Sequence, residues 1–239
     1  LIPSVTLDVI YRQANESLII ENAHRINVGH MPELDCKTSD FFFSRAATQS
    51  DAAAVVQSMA AERIPKYLHI DPSRVQVLCP MKNGDAGAIA LNKRLQAAVN
   101  PPAGQAELVD EYVFRVGDKV MHTVNNYNLE WVRQTTYRTE NGKGVFNGDI
   151  GRITAIRKDA GEIDVLFEDG REATYNGENR GQIVLAYAIT VHKSQGSEFD
   201  AVIIPVVTAN PMLMTRNLLY TAVTRARKMV VLVGDRGYI

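Results

Sequence analysis

Apolar positions along the chain recur with two different periods, and the points where the period changes divide it. The opening VTLDVIYRQANESLIIENAHRIN reads as a short strand leading into a helix, in which Leu18, Ile19, Ala23 and Ile26 recur at helical spacing. GHMPELD breaks that pattern. From Asp51, the residues Ala52, Val55, Val56, Met59 and Ala60 follow the i, i+3, i+4, i+7, i+8 spacing of a helix with one apolar face, and Pro65 is expected to close it. The short apolar run VQVLC is β-branched at alternate positions and predicts a strand buried on both faces. Leu91, Leu95 and Val99 stripe the next helix, which NPP stops. Strand followed by helix is the rhythm of an α/β sheet.

Near Val113 the helical period gives way to short alternating runs. RITAIR and IDVLF alternate, and Asp169-Gly170 in FEDGREATY is a strong local hairpin signal. With VFRVGDKVMHT before them and GVFNGDIG between, these predict a small all-β unit over residues 113–183, too short for a sandwich and of the size of an SH3-like barrel. The polar stretch NNYNLEWVRQTTYRTENGKG inside it reads as a long loop. After Val184, AVIIPVV and MVVLVG are buried-strand runs that flank a helix expected from Thr215 to Arg227. The expected organisation is one α/β domain built from 1–112 and 184–239, interrupted by a β insertion.

Composition narrows the function classes. A chain of 239 residues with 46% hydrophobic content can bury a substantial core. No apolar run reaches the length of a membrane span and no signal peptide opens the chain, so a soluble protein without membrane partners is expected. Cys36 and Cys79 are isolated, which argues against a disulfide framework or zinc site and makes a reducing cytoplasm the expected compartment. His24, His30, His69 and His122 show no metal-ligand spacing and read as structural or exposed. A net charge of −1 argues against coating nucleic acid by bulk electrostatics, so any such contact must come from a local groove.

Two stretches carry candidate chemistry. In NLLYTAVTRARKMVVLVGD, Leu218, Leu219, Ala222, Val223 and Ala226 share one arc of a helical wheel, and Arg225 lies at its edge, with Arg227 and Lys228 reaching solvent. Arg225 either waits for an anion or neutralises the negative end of a helix. In AITVHKSQGSEFDAVIIP, the Gly196-Ser197 turn can present backbone N–H groups to a ligand, and Glu198 offers a carboxylate to hydroxyls. The alternative is an ordinary loop whose His192 and Lys193 are merely solvated. Trp131 could stack on a base or anchor a loop. Lys82 and Asn92 could meet a nucleic-acid backbone or belong to a solvated face.

These stretches resemble the superfamily 1 helicases, and among them the RecD-like DNA helicases of the exodeoxyribonuclease V alpha chain family. YAITVHKSQGSEF is similar to their motif V, LLYTAVTRAR to motif VI, and IYRQANESLIIENAHRIN to motif IV with its following helix. VLCPMKNGDAGAIALNKRLQAAVNPP is also similar to the RecD-like branch. The resemblance covers nearly the whole chain. It implies the second motor domain of an ATP-dependent helicase: a RecA-like, P-loop NTPase-type parallel sheet interrupted by an SH3-like barrel.

The same resemblance implies roles. Arg12 and Arg225 would be arginine fingers, and Tyr11 would stack near the adenine. Gly196 and Glu198 would approach the nucleotide, Glu198 at the ribose, with Gln195 coupling the sites. Thr190 and His192 would face single-stranded DNA. No Gly-x-x-x-x-Gly-Lys followed by Ser or Thr occurs, and no apolar strand ends in Asp-Glu. The expectation is therefore the C-terminal half of a larger motor, inactive alone. ATP and magnesium would be handled with the N-terminal motor domain of the same protein, single-stranded DNA would be translocated 5′ to 3′, and helicase-nuclease subunits are further candidate partners. The alternatives are the alpha subunit of a multisubunit exodeoxyribonuclease V and a non-catalytic module that binds DNA or protein.

Overall fold

In the computed structural model, which describes residues 17–109, 112–207 and 214–239, helix α1 (Leu18–Asn27) and strand β1 (Phe41–Arg45) come first. Helix α2 (Gln49–Ser58) passes through a π-type turn (Met59–Arg63) into α3 (Ile64–Leu68), and β2 (Val75–Cys79) and α4 (Ala88–Val99) follow. A run of strands comes next: β3 (Glu107–Val109), β4 (Val113–Arg115), β5 (Lys119–His122), β6 (Asn126–Gln134), β7 (Thr139–Val145), β8 (Ile150–Arg157), β9 (Glu162–Phe167), β10 (Arg171–Tyr175) and β11 (Ile183–Leu185). The α/β alternation returns with β12 (Ala188–Thr190), β13 (Phe199–Val206), α5 (Arg216–Val223) and β14 (Ala226–Gly234).

Strands from both sides of the β-rich stretch make one five-stranded parallel sheet in the order β1-β14-β13-β2-β12. A parallel sheet needs cover on both faces. Ile203 on β13 and Val231 on β14 pack with Val56 of α2 and Leu91 and Leu95 of α4. Their neighbours Val202, Ile204, Val230 and Leu232 pack on the other face with Ile19 and Ala23 of α1 and Leu219 and Ala222 of α5. Each face thus takes alternate residues, which is why the runs 201–206 and 229–233 are apolar without interruption. Gln76 on β2 is buried and donates to the carbonyls of Ala186 and Tyr187 at 3.1 and 3.2 Å. Cys79 is buried and unpaired, and burial pushes its thiol well above the ordinary range.

Pro65 does not end the second helix. The N–H of Ile64 bonds back five residues to Met59, and this widened turn places Pro65 at the start of α3, where a missing donor costs least. The helix ends instead at His69, in the left-handed region at φ 54°.

Strands β5 to β11 form a seven-stranded antiparallel sheet in the order β11-β5-β8-β9-β10-β6-β7, while β3 and β4 pair only with each other. The Asp169-Gly170 turn joins β9 to β10 as expected, with Gly170 at φ 84° and its N–H bonded to the carbonyl of Phe167 at 2.9 Å. The polar stretch expected to be a loop is instead the hairpin β6–β7. Its polar side chains pair across the strands, as in Lys143–Glu130 at 2.9 Å, and Trp131 lies opposite Gly142. A Cβ at Gly142 would fall 2.3 Å from the indole, so the ring packs on bare backbone and contacts the core instead of standing in a loop. His122 is buried, with its Nδ1 2.9 Å from the Tyr175 hydroxyl.

Two buried polar groups on the inserted sheet reach the parallel-sheet domain. Asp118 accepts from Gln96, Asn100, Tyr187 and the backbone N–H of Arg115. Lys119 donates from Nζ to the carbonyl of Ser73 at 2.8 Å. Burial holds the Lys119 ammonium down to about 8, while the charge of Glu168 acts in the opposite direction. An unfolded lysine titrates near about 10.4, so between these values the unfolded chain holds a proton that the folded chain has shed, and stability rises with pH across that window. Lys119→Met removes the charge and is expected to be more stable than wild type at pH 7 by about 1–2 kcal/mol after loss of the Ser73 bond. Melting at pH 7, 8.5 and 10 checks this: the gap should close as pH rises, and a constant gap would refute it.

Candidate functional site

Two loops meet at the N-terminal ends of β13 and β14, the strands of the last βαβ unit. The first begins at Thr190, runs through a 3-10 turn (Val191–Ser194) closed by the Ser194 hydroxyl donating to the Val191 carbonyl at 2.6 Å, and reaches Gly196 at φ 87°. Among the described residues, no atom beyond its chain neighbours lies within 4 Å of where a Gly196 Cβ would sit, so this backbone is open to a ligand's approach. Ser197 and Glu198 lead into β13.

The second loop joins α5 to β14. The helix expected to continue to Arg227 ends at Val223, capped by Thr224. Arg225 occupies the turn, and Ala226 already belongs to β14, because pairing of the apolar β14 with β13 outweighs further helix. The three basic residues therefore do not share a helix end. Arg225 is half-buried and donates from Nε to the Thr221 carbonyl (3.3 Å), from Nη1 to the Ser197 carbonyl (3.3 Å) and from Nη2 to Thr224 Oγ1 (3.4 Å). All three acceptors are neutral and the bonds are long. Arg227 and Lys228 lie on the strand, where Arg227 Nε donates to Glu198 Oε2 at 2.9 Å and Lys228 Nζ lies 3.3 Å from Asp200.

The two loops are laced together. The backbone N–H of Phe199 bonds to the Arg225 carbonyl at 2.9 Å, between the Ser197–Arg225 and Glu198–Arg227 contacts. The structure thus brings Arg225, Gly196 and Glu198 into one corner, with exposed Gln195 beside it. Tyr11 and Arg12 lie outside the described residues. Thr190 and His192 stand at the start of the same loop. Thr190 lines a cleft of about 210 Å³ with Lys82, Lys193 and Tyr112, whereas His192 is exposed. Partial burial, and then the charge of Lys82, hold the Lys193 pKa below its ordinary value. Asn92 is not on a solvated face: it is buried and bonds to both N–H and C=O of Ala188, at 2.9 and 2.7 Å. Arg227 is the residue that sequence reasoning missed, since only the register of β13 on β14 places it against Glu198.

Both loops fall within residues 185–233, which match the UvrD-like helicase C-terminal domain. Residues 91–167 match the ATP-dependent RecD-like DNA helicase SH3 domain. The chain is 32% identical to the ATP-dependent RecD2 DNA helicase of Deinococcus radiodurans over 98% of its own length. The chain belongs to the RecD-like DNA helicases. A second member, the RecBCD enzyme subunit RecD of Mycobacterium tuberculosis, is 32% identical over 69% of the chain. The chain spans only 29% and 25% of these two relatives' lengths.

The fold of this RecD-like segment is shared with solved Pif1 helicases. The Candida albicans protein gives a TM-score of 0.54 at 13% identity, covering 97% of this chain and 56% of that one. A Bacteroides Pif1 in complex with ADP-AlF3 and single-stranded DNA gives 0.52 at 20% identity, covering 97% and 51%. The expected α/β motor fold with an SH3-type insertion is therefore correct. Among the described residues no helix is long and apolar enough to cross a membrane.

Proposed function

We propose that this chain is the second motor domain, with its SH3-like insertion over 113–183, of a longer RecD-like helicase that couples ATP hydrolysis to 5′ to 3′ movement on single-stranded DNA in the cytoplasm. One observation carries the reading: Arg225, whose bonds are long and to neutral oxygens, is pinned beside the open Gly196 turn and the Glu198 carboxylate. That corner fits the outer half of a nucleotide site. Arg225 would meet the terminal phosphate, joined by Arg12, with Tyr11 at the base, Gly196 near the phosphates and Glu198 at the ribose. In this reading magnesium and the phosphate cradle belong to the preceding motor domain.

Thr190 and His192 would face the DNA strand, with the neighbouring Lys82 and Lys193 supplying local positive potential, and Gln195 would connect strand and nucleotide. Closure of the cleft on ATP and its reopening after hydrolysis would move one domain along the strand. A second reading, the alpha subunit of a helicase-nuclease complex, is favoured by the identity to the Mycobacterium RecD subunit, and copurifying nuclease subunits would support it.

The isolated chain is expected to hydrolyse no ATP above background, whereas the full-length protein should show hydrolysis stimulated by single-stranded DNA. Steady turnover by the isolated chain, abolished by Arg225→Ala, would refute the division of labour. A full-length protein with no DNA-stimulated turnover would point to a binding module.

A further inference from the structure

Arg227 and Lys228 are consecutive on β14, yet both reach carboxylates that belong to the start of β13. Consecutive strand residues ordinarily point to opposite faces. The register explains the exception: Phe199 pairs with Ala226 but Ala201 with Met229, so β14 carries one extra residue there, and a bulge of this kind re-aims side chains. Its effect is to lay Arg227, whose side chain is 58% exposed, against Glu198, whose side chain is only 19% exposed. An exposed pair of this type adds little to stability. Its consequence is orientation: Nε holds Oε2 at 2.9 Å, which constrains how the carboxylate is presented.

The contact belongs to a set of three in sequence. Arg225 reaches the carbonyl of Ser197, the Arg225 carbonyl takes the N–H of Phe199, and Arg227 holds Glu198 between them. The guanidinium of Arg225 and the carboxylate of Glu198 are therefore kept in one frame. We infer that Arg227 is a positioning residue for sugar recognition, holding the Glu198 carboxylate so that it accepts a hydrogen bond from a ribose hydroxyl of a nucleoside triphosphate. This rests on the proposed placement of Glu198 at the ribose.

The test uses full-length protein with saturating single-stranded DNA and compares kcat and KM for ATP, 2′-deoxyATP and 3′-deoxyATP. Wild type should favour ATP over at least one deoxy analogue by about tenfold, the size of one hydrogen bond to a charged group. Arg227→Ala should raise KM for ATP by about that factor with a much smaller fall in kcat, while KM for the disfavoured analogue stays put, so the preference collapses. Glu198→Ala should give the same collapse. Arg227→Gln, which keeps a donor without the charge, should lie between wild type and Arg227→Ala and guards against a folding defect. If Glu198→Ala loses the preference while Arg227→Ala and Arg227→Gln keep it, the carboxylate needs no partner and the inference is overturned. An equal fall of kcat in Arg227→Ala and Arg227→Gln with the preference intact would assign a merely structural role and also overturn it. If wild type shows no preference, or Glu198→Ala retains it, the ribose placement itself is wrong.

Discussion

Arg225→Ala in the full-length protein is expected to slow ATP hydrolysis by about 10³ to 10⁵-fold, the range of an arginine finger. Negative charge spreads over the oxygens of a phosphoryl group during transfer, and a fixed cation in a water-poor cleft stabilises that state most. The surroundings of Arg225 suit this task. Its backbone is held by the Phe199 N–H, and its side chain is steered by three neutral oxygens at 3.3–3.4 Å, with no carboxylate bonded to it among the described residues. Long bonds to neutral acceptors are readily exchanged for shorter ones to an anion. Nucleotide affinity should fall far less, because the cradle lies in the other motor domain in this reading. Arg225→Lys should recover little, since an ammonium lacks the fork. Arg227 does not serve as a control, because it holds Glu198; Lys143→Ala on the exposed β6–β7 hairpin does. Single-turnover hydrolysis at saturating ATP and single-stranded DNA decides: near-normal turnover of Arg225→Ala would show that another group carries the role.

What could be read from the sequence was set by how locally each signal is written. The strands β2, β13 and β14 are visible because each buries both faces, and the helices α2 and α4 because their apolar stripes repeat within a few residues. The interruption is visible because the period itself changes near Val113. Pairing across strands is not written locally. In the β6–β7 hairpin, the polar residues that suggested a loop satisfy one another across the ladder, and Trp131 needs Gly142 opposite to pack. The sequence leaves open whether Asn92 meets nucleic acid or solvent and whether His122 is structural or exposed, until their partners, 96 and 53 positions away, are known. The candidate site follows the same division. Arg225, Gly196 and Glu198 were recognisable within short motifs. The end of α5 and the contact of Arg227 with Glu198 were not, since both depend on where β14 engages β13 and on the bulge between them.

Asp118 is the residue whose loss should most disturb the fold, because its buried carboxylate gathers four donors from three parts of the chain. Oδ1 accepts from Asn100 Nδ2 at 2.8 Å and the Tyr187 hydroxyl at 2.9 Å, and Oδ2 from Gln96 Nε2 at 2.6 Å and the Arg115 N–H at 2.8 Å. Gln96 lies on α4 and Asn100 just beyond it, Arg115 belongs to the inserted strands, and Tyr187 leads back into β12. Burial raises the carboxyl above its ordinary range, and the hydrogen bonds act in the opposite direction. Asp118→Ala strands these donors where water has little access, and is expected to cost about 3–5 kcal/mol. That is a large part of the stability of a typical domain, about 5–15 kcal/mol in total. Asp118→Asn should cost only about 1–2 kcal/mol. Its oxygen can still serve Gln96 and the fixed Arg115 N–H, and the Tyr187 hydroxyl can turn to accept from the new NH2, while the Asn100 amide, held at 3.1 Å to the Val116 carbonyl and at 3.3 Å by Gln105, gives up one bond. Because the four donors straddle the junction between insertion and parallel sheet, the alanine variant should also separate their melting. Denaturant unfolding with hydrogen exchange read at β8 and β13 tests both points: a loss below about 1 kcal/mol, with the two strands still exchanging together, would show that packing and not this carboxylate joins the insertion to the sheet.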